Sequence, residues 1–272
     1  MGKLDNKNAI VTGGANGIGR GIVDHFAREG ANVLIADLDE EGGAMAAEAC
    51  TKLKVKAVFQ RTDTSREEDV KAAVARAVKE FGRLDILVNN AGVAGAIGLE
   101  DVSVEDWDRT FAICMRGVFL GMKHAIAEMR KAGGGTIISI SSNAGLRGSP
   151  PLHAYGAAKA GVINLTESAA RLLGRDRIRV NAVCPGLINA PSSRGLLPEG
   201  TDIEETFSKF QPIPRAGSPA DIAAIIAFLA SDEAAWISGA HISVDGGQIT
   251  ADSGFFPATS GYYAGFQTHH KR

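Results

Sequence analysis

Short apolar runs and longer segments with helical spacing alternate along most of the chain. Continuous apolar runs predict buried strands, and apolar residues that recur every three or four positions predict helices. The predicted strands are Asn8–Thr12, Asn32–Ala36, Val55–Gln60, Leu84–Val88, Thr136–Ser141, Arg177–Val183 and Ala240–Val244. The predicted helices are Gly17–Gly30, Glu40–Leu53, Ser65–Phe81, Val104–Lys131, Leu152–Leu173 and Pro219–Ala230.

This alternation predicts an α/β fold. Apolar strands that alternate with helices are typical of a parallel sheet covered by helices on both faces. We therefore expect a Rossmann-type, doubly wound, three-layer sandwich around a central parallel sheet of about seven strands. Since no linker-like or low-complexity stretch divides the chain, residues 1–250 are interpreted as one domain.

Two segments depart from the alternation. Residues 188–214 are rich in proline, glycine and charge, which is typical of a mobile lobe that covers a binding cleft. Residues 251–272 form a carboxy-terminal extension that is rich in glycine and contains five aromatic residues. Because a solvated tail rarely carries so many aromatic side chains, we expect this extension to pack against the domain or against another subunit.

The composition excludes several classes of protein. The 272 residues carry a formal net charge of −2, which does not favour nucleic acid or an anionic membrane surface as a partner. The amino terminus lacks the sections of a signal peptide, and no apolar run is long enough for a membrane span. The three cysteines, Cys50, Cys114 and Cys184, suit neither a disulfide framework nor a metal site. We expect a reduced, cytoplasmic setting and no metal.

A glycine-rich turn joins the first predicted strand to the first helix. It contains Gly13, Asn16, Gly17, Ile18 and Gly19, and its glycines allow backbone N–H groups to approach a pyrophosphate at the helix start. An ordinary glycine turn would have the same appearance in isolation.

An acidic residue supports the interpretation as a nucleotide site. Asp37 closes the second strand, where its carboxylate can accept hydrogen bonds from an adenosine ribose. The same carboxylate would repel a 2′-phosphate, and neither Asn16 nor Leu38 supplies a compensating cation. We therefore predict NAD rather than NADP as cofactor. The alternative is that Asp37 only caps the second helix.

Tyr155 and Lys159 are four residues apart inside a predicted helix and therefore share a helix face. A free phenol, with a pKa near ~10, is a poor acid–base catalyst at neutral pH. A nearby ammonium group stabilises the phenolate and makes such a phenol useful for proton transfer. The pair predicts a proton-transfer centre, although a solvated surface pair has the same spacing.

Several further motifs occur in order along the chain, and together they resemble those of the short-chain dehydrogenase/reductase family in its shorter, single-domain form. The matching residues are Gly13, Gly17 and Gly19, then Asn89-Asn90-Ala91-Gly92, Ser142 with Tyr155 and Lys159, Pro185-Gly186, Ser238-Gly239 and Val244-Asp245-Gly246-Gly247. The resemblance runs from Thr12 to Gly247, and the 13-residue gap between Ser142 and Tyr155 is usual for the family.

The resemblance implies hydride transfer between NAD and a secondary alcohol or ketone. Tyr155 would be the general acid or base, Lys159 would assist it and hold the nicotinamide ribose, and Ser142 would hydrogen-bond the substrate oxygen. Further cofactor contacts are implied for Leu38, Asp63, Thr64, Asn90, Ala91, Gly92, Pro185, Gly186 and Ile188. The family resemblance also implies a homotetramer.

Two positions depart from the family pattern. Cys114 stands where most members carry an asparagine, whose backbone carbonyl usually holds a water in a proton relay to the lysine. We hypothesise that the reaction persists here with an altered relay. Ala190 stands where a threonine often contacts the nicotinamide amide, and Ser192 and Ser193 are the candidates to replace it.

Substrate choice is predicted to depend on three segments, Val93–Leu99, Asn143–His153 and Leu187–Phe210. The first two are small and apolar except for Arg147 and His153, so we expect a medium-sized, mainly apolar alcohol of alicyclic, aromatic or steroid-like type. Two alternatives stay open. One is a reductase of 3-oxoacyl thioesters, and the other is a weakly catalytic NAD-binding sensor or scaffold.

Overall fold

The apolar segments form the strands of one parallel sheet. The structure is a computed structural model that describes residues 2–95, 98–150, 152–195 and 197–250. Its strands are β1 (Asn8–Thr12), β2 (Asn32–Asp37), β3 (Ala57–Arg61), β4 (Ile86–Asn89), β5 (Gly135–Ile140), β6 (Ile178–Pro185) and β7 (His241–Val244). The order across this seven-stranded sheet is β3-β2-β1-β4-β5-β6-β7, and each neighbouring pair is parallel. The predicted fold class is confirmed.

Helices cover both faces of the sheet. They are α1 (Gly17–Arg28), α2 (Glu40–Thr51), α3 (Glu67–Phe81), α4 (Val104–Phe111), α5 (Gly117–Lys131), α6 (Asn143–Leu146), α7 (His153–Leu173), α8 (Pro191–Arg194), α9 (Ile203–Ser208) and α10 (Pro219–Ala230). Buried side chains of α1, α2 and α10 form one hydrophobic layer, and those of α3, α5 and α7 form the other. All five residues of β1 are buried, as expected for a strand with a helix layer on each side.

The strand order reverses direction beside β1. The chain builds outward from β1 to β3 and then returns to place β4 on the other side of β1. The loops after β1 and β4 consequently diverge to opposite faces and leave a crevice at the carboxyl edge, which is where ligands bind in open α/β sheets.

The predicted helix Val104–Lys131 is wrong in one respect, because it is not a continuous α-helix. A π-helical segment, Ala112–Arg116, separates α4 from α5. A π turn adds a residue without changing the apolar spacing on either side, so the sequence pattern does not reveal it. Cys114 lies in this segment and is fully buried.

The segment 188–214, predicted to be a lobe that covers a binding cleft, contains two short helices, α8 and α9. The predicted extension 251–272 lies outside the described residues. In the parts of the chain that the structure does describe, no helix combines the length and the apolar character needed to cross a membrane.

The start of α10 is held by a group of charged and polar side chains. The side chain of Ser218 caps the helix, and the Asp221 carboxylate accepts from the backbone and the side chain of Ser218. Arg215 donates both terminal nitrogens to the same carboxylate at 2.8 Å. The hydrogen bond from Arg215, opposed by partial burial and supported by Ser218, holds the pKa of Asp221 well below its usual range.

We predict that Asp221→Asn lowers the free energy of unfolding by about 1–2 kcal/mol at pH 7, since a helix cap and an ion pair are lost together. Because the pKa is lower in the folded state, the carboxylate stabilises the protein above the pKa of the unfolded chain, near 4, and this stabilisation declines as the pH falls further. Urea unfolding at pH 7 and pH 3 should show the two proteins converging at the lower pH.

Asp24→Asn is the matched control, because Asp24 is equally exposed and pairs with Arg20 but caps no helix. Its effect should stay below about 0.5 kcal/mol. Equal losses in the two variants would contradict the role given to the cap.

Candidate active site

A cleft of about 990 Å³ runs along the carboxyl edge of the sheet. All residues predicted to bind the cofactor line it, and these are Gly13, Asn16, Gly17, Ile18, Gly19, Asp37, Leu38, Asp63, Thr64, Asn90, Ala91, Gly92, Tyr155, Lys159, Pro185, Gly186 and Ile188. Ser142 lines the same cleft, whereas Cys114 lies behind its wall. The structure therefore brings the predicted nucleotide and catalytic residues into one continuous site.

The turn after β1 and the loop after β4 are tied together by Thr12 and Asn90. The side-chain amide nitrogen of Asn90 donates to the backbone carbonyls of Thr12 and Gly13, both at 2.9 Å. The Thr12 hydroxyl accepts from the backbone N–H groups of Asn90 and Ala91 at 3.0 and 3.1 Å. These four hydrogen bonds set the width of the crevice between the two loops.

The glycine turn is closed too tightly for side chains. Gly13 and Gly17 have φ angles of +63° and +56°, in the left-handed region that favours glycine. A Cβ on Gly19 would lie 1.8 Å from the carbonyl oxygen of Gly13. The N-cap of α1, Asn16, makes no side-chain capping bond, and the first helical turn has no acidic residue. The N–H groups at this helix start therefore suit an anionic group such as a pyrophosphate.

The carboxylate of Asp37 binds the glycine turn from the end of β2. One oxygen accepts from the Ala15 N–H at 2.9 Å, and the other accepts from the Asp39 N–H at 3.1 Å. The N-cap of α2 is Asp39, which accepts from the Gly42 N–H at 2.9 Å. The alternative in which Asp37 caps this helix is therefore wrong.

Asp63 follows β3 in the same half of the cleft. Partial burial raises its pKa, but hydrogen bonds from the side chain and backbone of Ser65 and the charges of Arg66 and Arg61 outweigh this effect. The net result is a lowered pKa, so the Asp63 carboxylate is ionised at neutral pH.

Lys159 is buried beneath Tyr155 on α7. Only 2% of the lysine is exposed, and its ammonium nitrogen lies 5.5 Å from the centroid of the Tyr155 ring. The ammonium donates to the carbonyl oxygen of Ile140, at the end of β5, at 2.7 Å. The interpretation as a solvated surface pair is therefore wrong. A buried, hydrogen-bonded cation beside a phenol is suited to proton transfer.

Two neighbouring serines have different contacts. Ser142 is the N-cap of α6, where its hydroxyl oxygen accepts from the Ala144 N–H at 3.1 Å. This contact uses an oxygen lone pair and leaves the O–H proton as a donor. Ser141 instead donates its hydroxyl to the buried carbonyl of Lys159 at 2.8 Å. Ser141 stands at the end of a predicted strand, and its role as an anchor between β5 and α7 is visible only in the structure.

The Cys114 thiol contacts the backbone of the loop after β4. Its sulfur accepts from the Val93 N–H at 3.4 Å and donates to the Val93 carbonyl at 3.3 Å. A Cβ on Gly92 would lie 3.5 Å from the Lys159 ammonium and 3.6 Å from this sulfur. Cys114 thus pairs both backbone polar groups of Val93 directly behind the lysine.

The other two cysteines, Cys50 and Cys184, are buried thiols with little tendency to ionise. Burial raises the pKa of the Cys50 thiol to about 11, and it also raises the pKa of Cys184. Within the ranges that the structure describes, no group of three or more histidine, cysteine and acidic side chains is arranged to hold a metal ion.

The remaining part of the cleft is bordered mainly by apolar residues. The predicted substrate segments supply Val93, Ala94, Asn143, Ala144, Arg147, Gly148, Ser149, Pro150, Leu152, Leu187, Ala190, Ser192, Ser193, Leu197, Phe207 and Phe210. Four further lining residues, Arg109, Ile113, Gln248 and Ile249, lie outside the predicted substrate segments. Gln248 and Ile249 follow the carboxy-terminal glycine pair, and only the return of this segment to β6 brings them to the cleft.

Three predicted positions differ in their surroundings. His153 borders a separate depression of about 170 Å³ beside Trp107, not the main cleft. The Ser193 hydroxyl accepts a hydrogen bond from the Ala190 N–H and donates to the backbone carbonyls of Ile188 and Ala190. Of the two serines proposed to replace a threonine at Ala190, Ser192 is therefore the better candidate, since it lines the cleft without such a bond in the described structure.

Comparisons with known proteins identify relatives along most of the chain. The family model described as enoyl-(acyl carrier protein) reductase matches residues 13–248. Cis-4-hydroxycyclohexanecarboxylate dehydrogenase from Sinomonas cyclohexanicum is 43% identical over 87% of this chain and 94% of its own length. 3-Oxoacyl-(acyl-carrier-protein) reductase from Chlamydia muridarum is 39% identical over 89% of this chain and 97% of its own.

A solved structure shows the same fold. The solved structure of 7α-hydroxysteroid dehydrogenase complexed with NADH and 7-oxo glycochenodeoxycholic acid superimposes with a TM-score of 0.86 at 33% identity. The match covers 91% of this chain and 96% of that one. The chain belongs to the short-chain dehydrogenase/reductase family.

We predict that Cys114→Ala lowers the free energy of unfolding more than Cys114→Asn does. Alanine leaves the N–H and carbonyl of Val93 without partners, at a cost of about 1–3 kcal/mol in unfolding free energy, whereas an amide can both donate and accept. Thermal unfolding and kcat across pH test this. A large rate gain in Cys114→Asn would mean that the native relay is impaired, and an unaltered Cys114→Ala would show that the sulfur contacts are dispensable.

Proposed function

We propose that this protein is an NAD-dependent oxidoreductase that interconverts a secondary alcohol and a ketone. The observation that carries the proposal is the buried ammonium of Lys159, which lies beneath Tyr155 in the cleft that also contains Ser142 and the glycine turn. This combination supplies a proton donor and acceptor next to a site suited to a dinucleotide.

The residues that would hold the cofactor fit a dinucleotide. The open N–H groups at the start of α1 would face its pyrophosphate, and Asp37 would face its adenosine ribose. A bound nicotinamide would supply the hydride donor or acceptor of the reaction. The carboxylate of Asp37 supports NAD over NADP, because a 2′-phosphate would be placed beside an anion.

The catalytic residues would manage the proton on the substrate oxygen. Tyr155 would remove it during alcohol oxidation and return it during ketone reduction. The fixed charge of Lys159 would stabilise the phenolate form of Tyr155, since burial weakens the screening between them. Ser142 would donate its hydroxyl proton to the substrate oxygen and hold the reacting carbon in position.

The apolar border of the cleft favours a medium-sized substrate of alicyclic, aromatic or steroid-like type. Phe207 is fully buried and forms part of this border with Leu152 and Ile249. The names of the hydroxycyclohexanecarboxylate and hydroxysteroid dehydrogenases support this class. The similarity to a 3-oxoacyl-(acyl-carrier-protein) reductase keeps 3-oxoacyl thioesters as a second candidate.

Assembly as a homotetramer in the cytoplasm is part of this proposal and follows from the family resemblance. The fully exposed Trp236 and the largely exposed Leu172 give it some support, because large apolar side chains on a surface often mark contacts between subunits.

We predict that Tyr155→Phe lowers kcat by about 10³-fold or more, because the phenyl ring cannot exchange a proton. The assay follows nicotinamide absorbance over a panel of secondary alcohols, ketones and a 3-oxoacyl thioester, with both NAD(H) and NADP(H). NADH binding, measured by fluorescence, should persist in the variant. Binding without turnover of any compound by the wild type would favour the sensor or scaffold, and absence of binding would refute both functions.

We predict that Asp37→Ser shifts cofactor preference towards NADP. Removal of the carboxylate should raise KM for NAD about tenfold or more and lower it for NADP, since both a ribose acceptor and a repulsive charge are lost. Asp39→Ser is the matched control, because it keeps a capping side chain on α2 and does not line the cleft. An unchanged ratio of the two KM values in Asp37→Ser would refute the assignment.

A further inference from the structure

We propose that Arg147 forms an anion-binding subsite in the cleft and that the alcohol substrate carries a carboxylate. This inference rests on the proposed function and adds a charged group to the apolar substrate inferred there. The subsite would bind the end of the substrate that lies away from the reacting carbon.

The charges that line the cleft are distributed unevenly. Its acidic residues, Asp37 and Asp63, both follow strands of the nucleotide half. Lys159 is buried and bound to a backbone carbonyl. Arg147 is exposed and lines the cleft in the run Arg147–Pro150, beyond Ser142. On the side of Ser142 the cleft therefore has an accessible cation, and none of the described residues that line it there is acidic.

Arg147 lacks an internal counter-charge. Within the described ranges, its guanidinium makes no ion pair and no side-chain hydrogen bond. Other arginines, such as Arg83, Arg130 and Arg215, each bind a carboxylate at 2.6 to 2.8 Å. The donors of Arg147 thus remain available to a ligand that enters the cleft.

A second arginine, Arg109 on α4, also lines the cleft. Arg147 is the better candidate for the subsite because it directly follows α6, the short helix that Ser142 caps, whereas Arg109 lies on a different element.

The short helix α6, which precedes Arg147, is held in place at its first residue, Asn143. The Arg147 N–H donates to the Asn143 carbonyl at 3.1 Å, and the Asn143 amide donates to Asp245 at 2.7 Å and to Gln248 at 3.2 Å. The Asp245 carboxylate also accepts two backbone N–H groups of its own turn and does not line the cleft. Its charge is therefore compensated locally and does not compete with a ligand for Arg147.

The short helix α6 sets the separation between Ser142 and Arg147. Its four residues advance by about 6 Å, which is comparable to the width of one alicyclic ring. A hydroxyl held by Ser142 and a carboxylate held by Arg147 would therefore lie at opposite ends of a short apolar body. A guanidinium binds a carboxylate through two parallel hydrogen bonds, and apolar surroundings strengthen the attraction.

The test uses matched pairs of alicyclic secondary alcohols of three sizes, each as the carboxylate and as its methyl ester. For the wild type, kcat/KM should be about tenfold or more higher for the carboxylate of the best pair. Arg147→Gln should abolish this preference by lowering kcat/KM for the carboxylate far more than for the ester, and Arg147→Lys should restore part of it. Arg28→Gln removes an exposed arginine outside the cleft and should change neither value.

The possible results separate the two proposals. Turnover of esters and carboxylates with equal efficiency by the wild type would overturn the subsite but leave the proposed function standing. The subsite would also be overturned if Arg109→Gln, and not Arg147→Gln, removed the preference for the carboxylate. Equal losses of kcat/KM for the carboxylate and its ester in Arg147→Gln would overturn it as well. If no alcohol or ketone of the panel is turned over, the proposed function fails, and the subsite fails with it.

Discussion

The joint between the loops after β1 and β4 is the contact on which the rest of the site depends. These strands are neighbours in the sheet, but the chains that leave them turn to opposite faces, so the crevice between them would widen without a tie. Thr12 and Asn90 provide that tie through four hydrogen bonds. Because Asn90 binds the carbonyl of Gly13, the same contact also determines the shape of the glycine turn.

A second set of buried polar contacts holds the catalytic end of the cleft. The carbonyl of Ile140 fixes the Lys159 ammonium, and Ser141 binds the Lys159 carbonyl, so both ends of this residue are attached to β5. On the other side of Gly92, Cys114 hydrogen-bonds both the N–H and the carbonyl of Val93. Each of these groups is costly to bury without a partner, and together they explain how a charged side chain is stable in the interior.

Fold class, strand positions and the main site motifs were accessible from the sequence for identifiable reasons. Buried parallel strands require unbroken apolar runs, and a tight turn at a helix start requires glycines, so both leave local signals. The fixed spacing of Ser142, Tyr155 and Lys159 is likewise a property of the chain itself. The helix Val104–Lys131 was predicted as continuous because a π turn keeps the apolar pattern on both sides of it.

The sequence by itself determined which residue types stand at the strand ends, and therefore the kind of chemistry that this edge of the sheet supports. Only the tertiary structure decided that Lys159 is buried, that Asp37 binds the glycine turn and that Gln248 reaches the cleft. The physical reason is that burial and hydrogen bonding depend on partners far away in the chain. Asn143 and Asp245, for example, are 102 residues apart and meet only because β7 lies next to β6.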